Sequence, residues 1–139
     1  MDVRIIEGAV PRMVPELTEA NRLFWTGGAA GRLLLPHCDA CGRWADPETD
    51  ACDGCGGALS HQAVSGRGTV FTFTVNAQAW NPDLPVPYVI ALVELEEQEG
   101  LRLPTNIVNC EPDQVRIGMA VRVVFEHQGE AYVPLFEPA

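Results

Sequence analysis

The second half of the chain alternates between apolar and polar residues with a period of two, which predicts short β-strands. In the segment Val-Phe-Thr-Phe-Thr-Val, Phe71, Phe73 and Val75 share one face. Strand-length apolar segments occur at residues 70–75, 88–95, 101–108, 121–125 and 131–136. Five short antiparallel strands, with a longer connector before the fourth, predict a small closed barrel of the OB type. A β-sandwich is the alternative, and five strands are few for it.

Local signals add detail to this barrel. Pro104 cannot donate a ladder hydrogen bond, so the third strand is expected to carry a bulge or to lie at an edge. The connector at residues 111–118 is expected to hold about one helical turn.

The first third of the chain shows a different pattern. Residues 1–14 have no period and contain Gly8 and Pro11, which predicts an extended arm. Residues 15–28 are predicted to be helical and to end at the two glycines. One face of this helix would carry Ala20, Leu23, Phe24 and Gly27.

The aromatic pair on the predicted helix allows two interpretations. In the first, Trp25 packs on the ribbon or barrel. In the second, the helix presents Phe24 and Trp25 to a partner protein.

Two Cys-x-x-Cys-Gly units, with ten residues between Cys41 and Cys52, predict a pair of zinc knuckles. Each knuckle would aim two thiolates at one point, and the pair would complete a tetrahedral sulfur cage. The alternative is two disulfides or two free dithiols. Disulfides are disfavoured, because a chain of 139 residues can bury a core without them and no secretory signal precedes the cysteines. Zinc is favoured over iron, which the same cage can bind. The expected ligands are Cys38, Cys41, Cys52 and Cys55.

Three segments with different patterns are therefore expected to form the domains of the protein. They are an N-terminal arm and helix at residues 1–30, a zinc ribbon at 31–65 and an OB-fold barrel at 66–139. The fold class is mainly β, with an N-terminal helix, a rubredoxin-like zinc ribbon and a five-stranded barrel.

The charge distribution argues against nucleic-acid binding. The net charge is −10, with zero over residues 1–37, −4 over residues 38–65 and −6 over residues 66–139. Nucleic-acid binding requires a basic face, and this chain offers none. No apolar run is long enough to span a membrane. A cytoplasmic location is therefore expected, where thiolates stay reduced.

No catalytic motif is recognisable in the sequence, so the chain is not expected to be catalytic alone. Cys110 is the one cysteine outside the predicted cage. A lone cysteine near a strand end is more often a small buried apolar residue than a nucleophile.

Several short segments, spread over nearly the whole chain, together resemble a known family. They are Phe24-Trp25, Gly31-Arg32-Leu33, the two Cys-x-x-Cys-Gly units, and residues 65–70, 87–95, 117–121 and 133–138. In this order they resemble the zinc-ribbon/OB-fold acyl-CoA-associated proteins, long grouped as domain of unknown function number thirty-five.

The resemblance implies a non-catalytic partner of thiolase-fold enzymes. Such partners are thiolases, or lipid-transfer-type aldolases that make or cleave carbon–carbon bonds on acyl-CoA thioesters. A MaoC-type hydratase is a further implied partner, in steroid side-chain or lipid degradation. The implied role is to complete the enzyme's active site or guide the CoA thioester, within a hetero-oligomer.

The N-terminal segment, residues 1–37, has a net charge of zero and is the expected contact surface for the enzyme and CoA. Arginine forks suit the phosphates of CoA, so Arg22 and Arg32 are the candidate CoA contacts. Phe24 and Trp25 are the candidate docking residues.

Two observations weigh against the CoA contacts. The family commonly carries Pro-Arg before the second knuckle, where this chain has Pro47-Glu48, which weakens a CoA phosphate contact by the ribbon. The candidate arginines could also simply pair with Glu16 or Glu19 on the helix surface.

Two other function classes remain as alternatives. A nucleic-acid-binding ribbon and OB module is one, and the acidic charge argues against it. A stand-alone thioesterase or hydrolase is the other, and it lacks a visible catalytic set.

Overall fold

The computed structural model describes residues 3–8 and 11–139, which fold mainly into β-strands. The helix α1 spans Arg22–Thr26 and continues into a 3-10 turn at Gly27–Ala30. The strands are β1 (Ile5–Glu7), β2 (Leu33–Cys38), β3 (Leu59–Val64), β4 (Arg67–Asn76), β5 (Tyr88–Leu95), β6 (Arg102–Ile107), β7 (Ala120–Gln128) and β8 (Ala131–Pro138).

Strands β4 to β8 form the predicted barrel. They are hydrogen-bonded in the order β7-β4-β5-β6-β8, and β8 also pairs with β7, which closes the ring. The connector before β7 contains a single 3-10 turn at Pro112–Gln114, as expected. The prediction of a mainly β protein with a five-stranded OB-type barrel is confirmed.

The period of two correctly identified the inner face of β5. Val89, Ala91, Val93 and Leu95 are each at most 2% exposed. Removing these side chains from water is a large favourable contribution to folding.

The predicted shared face of Phe71 and Phe73 is wrong. A bulge between Val70 and Thr72 inserts Phe71 as an extra residue. Phe71 is 43% exposed, and its ring lies 3.6 Å from the guanidinium carbon of Arg102.

Strand β6 lies between β5 and β8 in the barrel and is not an edge strand, but Pro104 sits in a part of it that is paired on one side only. Pro104 pairs with Leu92 of β5, whereas β6 reaches β8 only at Ile107, opposite Phe136. Most of the side of β6 that faces β8 therefore has no ladder hydrogen bonds. On that side, the N–H that Pro104 lacks costs nothing.

The predicted helix over residues 15–28 is too long. The buried side chain of Asn21 accepts a hydrogen bond from Thr18 N–H at 2.7 Å and donates to Glu16 O at 3.1 Å. These bonds hold the residues before Arg22 in an irregular loop. The chain also continues past the two glycines and leaves the 3-10 turn at Gly31, where φ is 70°.

The N-terminal arm is extended as predicted, and it is also tied to the barrel. Strand β1 runs parallel to β7, with Ile5 opposite Phe125. Arg4 pairs with the buried Glu137, which also accepts from Arg122 at 2.9 Å. The rest of the predicted arm includes Met1, Asp2, Ala9 and Val10, which lie outside the described residues.

Within residues 3–8 and 11–139, no helix combines the length and hydropathy needed to cross a membrane.

Candidate functional site

Two backbone turns with the same hydrogen bonds hold the four cysteines. In the first turn, Cys38 N–H donates to Arg43 O at 2.8 Å, and Gly42 N–H donates to Cys38 O at 3.0 Å. The second turn repeats this spacing from Cys52, with distances of 3.1 and 2.8 Å. The glycine after each Cys-x-x-Cys unit has a positive φ, of 80° in the first turn and 74° in the second.

The four sulfurs are placed to bind one metal ion. All lie within 4.8 Å of one another, and none is in a disulfide. The Cys38–Cys55 and Cys41–Cys52 sulfur distances are 3.5 and 3.7 Å. A tetrahedron with Zn–S bonds of about 2.3 Å has an edge of about 3.8 Å. The cage therefore fits a structural zinc ion.

The crowding of four thiols, which repel one another as thiolates, also favours a bound cation. The Cys41 backbone N–H, 3.4 Å from the Cys38 sulfur, lowers the pKa of Cys38 to about 6. For Cys55, the Gly57 N–H acts to lower the pKa, but the other three thiols together raise it to about 12. Without a cation the four thiols therefore do not all ionise at neutral pH. A cysteine binds metal as a thiolate, and the positive charge of Zn²⁺ stabilises the four thiolates against their mutual repulsion.

The histidines near the cage lie outside this cluster. The metal-ligand group among the described residues contains only the four cysteines. The His37 ring packs edge-on against Trp44, with ring centroids 4.6 Å apart. His61 lies in β3, where burial lowers its pKa.

A groove of about 860 Å³ lies between the N-terminal segment, the ribbon and the barrel. Its lining residues come from these parts and from the proline-rich loop between β4 and β5. They are Arg12, Met13, Pro15, Phe24, Trp25, Asp46, Pro47, Glu48, Trp80, Asn81, Leu84, Tyr88, Ile90, Leu103, Pro104, Thr105, Asn106, Val133, Pro134, Leu135 and Phe136. Most of these side chains are apolar, and the volume is that of a small-molecule site.

Hydrogen bonds fix the ribbon beside this groove. Gln98, in the β5–β6 turn, accepts from Trp44 N–H at 2.8 Å and donates to Trp44 O at 3.1 Å. On the helix side, the Asn21 amide donates to Glu48 at 3.1 Å. Glu48 therefore links the ribbon to the start of the helix.

The structure brings together the two aromatic candidates but not the two arginine candidates. Phe24 is 6% exposed in the core, and Trp25 is half-buried against it, with ring centroids 5.0 Å apart. Both line the groove, whereas Arg22 and Arg32 do not. Arg22 is exposed and lies 4.0 Å from Glu130.

The arginine that does line the groove is Arg12. Its Nε donates to Glu126 at 2.5 Å, and its Nη1 donates to Asn106 at 2.8 Å. Sequence reasoning did not select Arg12, because both of its partners are about a hundred residues away in the chain. The sequence signal that could have pointed to Arg12 was its position close to the apolar residues Met13 and Pro15, which also line the groove.

Cys110 does not line the groove. It is half-buried, and its pKa is raised, first by burial and then by the charge of Glu111. A raised pKa lowers the fraction of reactive thiolate.

Family models match both folded parts of the chain. The model of the ChsH2 rubredoxin-like zinc ribbon domain matches residues 25–60. The model of the ChsH2 C-terminal OB-fold domain matches residues 61–126.

Three curated proteins are similar to the chain. A probable enoyl-CoA hydratase alpha subunit of Thermomonospora curvata is 34% identical over 128 residues, which cover 90% of this chain and 39% of that protein. A 3-oxo-4,17-pregnadiene-20-carboxyl-CoA hydratase alpha subunit of Mycobacterium tuberculosis is 36% identical, over 81% of this chain and 36% of that protein. A DUF35 domain-containing scaffold protein of Methanocaldococcus jannaschii is 37% identical over 67% of each chain. The chain thus spans less than half the length of the two hydratase subunits.

A solved structure also matches. A chain of an Ltp2-ChsH2(DUF35) aldolase superposes with a TM-score of 0.78 at 34% identity. The match covers 90% of this chain and 98% of that chain.

Proposed function

The chain belongs to the DUF35 family of zinc-ribbon and OB-fold proteins, and from this premise we propose that it is a non-catalytic accessory subunit of a thiolase-fold enzyme. The enzyme is a thiolase or a retro-aldolase that acts on acyl-CoA thioesters. The chain helps to complete the enzyme's active site or to guide the CoA thioester. Its match to 98% of a chain from an aldolase complex is the observation that carries this proposal.

The composition of the groove supports an accessory role. The described residues that line the groove include no cysteine, histidine, serine or lysine. These residue types supply most nucleophiles and many general bases in enzymes. The chemistry would then come from the enzyme partner, while this chain supplies binding surface.

The names of two relatives point to the pathway and to a second partner. Both are hydratase alpha subunits, and one carries a pregnadiene-carboxyl-CoA name. We extend the proposal to lipid or steroid side-chain degradation, with a MaoC-type hydratase as a further partner.

The surface around α1 is the proposed docking site, with the barrel as a second contact. Met13, which lines the groove together with half-buried Trp25, is 93% exposed. Leu23 of α1 is 46% exposed, so two large apolar side chains of this segment face solvent. Apolar and aromatic side chains are the usual anchors of protein interfaces. Phe24 is buried in the core and would support this surface from beneath.

Co-purification with whatever enzyme is encoded alongside the chain tests the proposal, which expects that enzyme to have a thiolase fold. The complex should form with wild-type chain, and Trp25→Ala and Arg22→Ala should weaken it without unfolding the chain. Arg116→Ala, at an exposed arginine of the connector before β7, is the matched control. If the folded Trp25 and Arg22 variants bind as wild type does, docking does not occur at α1. If the wild-type chain forms no complex, the proposed function is wrong.

A further inference from the structure

Arg12, which lines the groove, belongs to a charged pair that is nearly shielded from water. The side chains of Arg12 and Glu126 are 16% and 12% exposed, and they are joined by the bond at Nε. Asn106 accepts the second bond from Arg12, while its own amide nitrogen donates to Val89 O at 2.8 Å. The Asn106 amide is therefore held with its oxygen toward Arg12, and the guanidinium is fixed at two nitrogens.

The guanidinium of Arg12 still has N–H groups that can donate hydrogen bonds to a ligand. A guanidinium has five N–H donors, and the contacts to Glu126 and Asn106 use two of them. The remaining donors of Arg12 have no partner among the described residues. Because Arg12 lines the groove, a ligand bound there can satisfy them.

The charge of the groove selects against anionic ligands. The charged side chains that line it are Arg12, Asp46 and Glu48. Glu126 already compensates Arg12, so the surplus charge is negative. In a largely apolar site this surplus repels phosphates, whereas a hydrogen bond to an uncharged oxygen keeps its strength.

We propose that the groove binds the uncharged acyl-pantetheine chain of a thioester, and that Arg12 donates to a carbonyl or amide oxygen of that chain. The phosphates of the nucleotide end stay outside the groove. This inference rests on the proposed function, which supplies the thioester as the ligand. It also replaces Arg22 and Arg32 by Arg12 as the arginine that contacts the ligand.

Two small probes separate the ends of the ligand. Octanoyl-pantetheine is uncharged, and adenosine 3′,5′-bisphosphate represents the nucleotide end. Trp25 and Trp80 both line the groove, so their fluorescence reports binding to the full chain. Octanoyl-pantetheine should bind with an affinity that is independent of salt, and the bisphosphate should not bind.

Paired substitutions test the role of Arg12. The double variant Arg12→Met/Glu126→Gln removes the donors without leaving an unpaired buried charge. It should bind octanoyl-pantetheine about tenfold or more weakly, since hydrogen bonds from charged groups have this magnitude. Glu126→Gln alone leaves Arg12 uncompensated, and it should gain salt-dependent binding of the bisphosphate. Arg116→Met, at an exposed arginine outside the groove, is the control and should match wild type.

Three results would overturn the inference. They are wild-type affinity in the folded double variant, tighter binding of the bisphosphate than of octanoyl-pantetheine by wild type, and no binding of octanoyl-pantetheine. Binding of octanoyl-pantetheine by a chain that forms no complex with a thiolase-fold enzyme would support the groove assignment and contradict the proposed function.

Discussion

Replacing Cys52 by serine should release the metal and unfold the ribbon while the barrel remains folded. Between residues 38 and 57, the buried side chains are those of Cys38 and Cys52, at 0% and 5% exposure. This part of the ribbon thus has almost no apolar core of its own. The barrel has one, which includes the fully buried Phe125 and Phe136.

The expected magnitude follows from this difference. Structural zinc contributes about 10–16 kcal/mol of apparent binding free energy at neutral pH in small zinc domains. Serine replaces one of the four thiolates with a hydroxyl, which is a poor zinc ligand. In wild type, the Cys52 sulfur lies 3.7 Å from the sulfur of Cys41. No hydrophobic burial within this segment can replace the lost metal binding energy.

Elemental analysis and limited proteolysis measure the two effects. Wild type should contain about one zinc per chain, and Cys52→Ser should contain little and be cleaved within residues 38–57. Cys110→Ser, outside the cage, should retain both the metal and the protease resistance. Less than half a metal per chain in fresh, unoxidised wild type would refute the reasoning. Full metal content and protease resistance in Cys52→Ser would refute it too.

Three further substitutions test how the barrel, arm and ribbon are held together. Gly28→Ala should lower the free energy of unfolding by about 1–3 kcal/mol, because its Cβ would lie 2.5 Å from the Phe125 ring. Gln98→Ala should lower it by about 1–2 kcal/mol, because both hydrogen bonds to the Trp44 backbone are lost. Burial acts to raise the pKa of Glu137, but hydrogen bonds from two neighbours and nearby arginine charges outweigh it and lower the pKa below the usual 4.5. Its stabilising effect is therefore complete above pH 4.5 and lost as the pH falls through the lower folded value, so Glu137→Gln should reduce this pH dependence in urea unfolding.

Each of these substitutions has a control or a contradicting result. Ala29→Ser and Glu99→Ala change exposed neighbours and should leave the free energy of unfolding near that of wild type. Gly28→Ala or Gln98→Ala with wild-type stability would show that the close approach or the paired hydrogen bonds are unimportant. If the free energy of unfolding of Glu137→Gln falls with decreasing pH as steeply as that of wild type, the Glu137 carboxylate does not cause the acid sensitivity.

Local patterns were enough to predict the barrel strands and the metal cage. Alternation identified the inner face of β5, because one buried face forces a period of two. The cysteine spacing predicted which four sulfurs lie within 4.8 Å of one another, because a knuckle is a local turn. The strand β3 was missed, since its residues Leu59–Val64 are mostly half-exposed and alternate weakly.

Features that depend on distant contacts could not be read from local sequence. The helix began later than predicted because the side chain of Asn21 stabilises a competing loop with Thr18. Strand β1 has three residues and exists through its pairing with β7. Arg12 acquires its place in the groove from Glu126, 114 residues later in the chain.

The most direct test of the central claim is the acyl-CoA turnover of the thiolase-fold enzyme that co-purifies with the chain, measured as this chain is added. The accessory-subunit account predicts that turnover rises and saturates at a fixed ratio of the two proteins, and that the chain alone is inactive. Turnover that is the same with and without the chain, or turnover by the chain alone, would contradict the account.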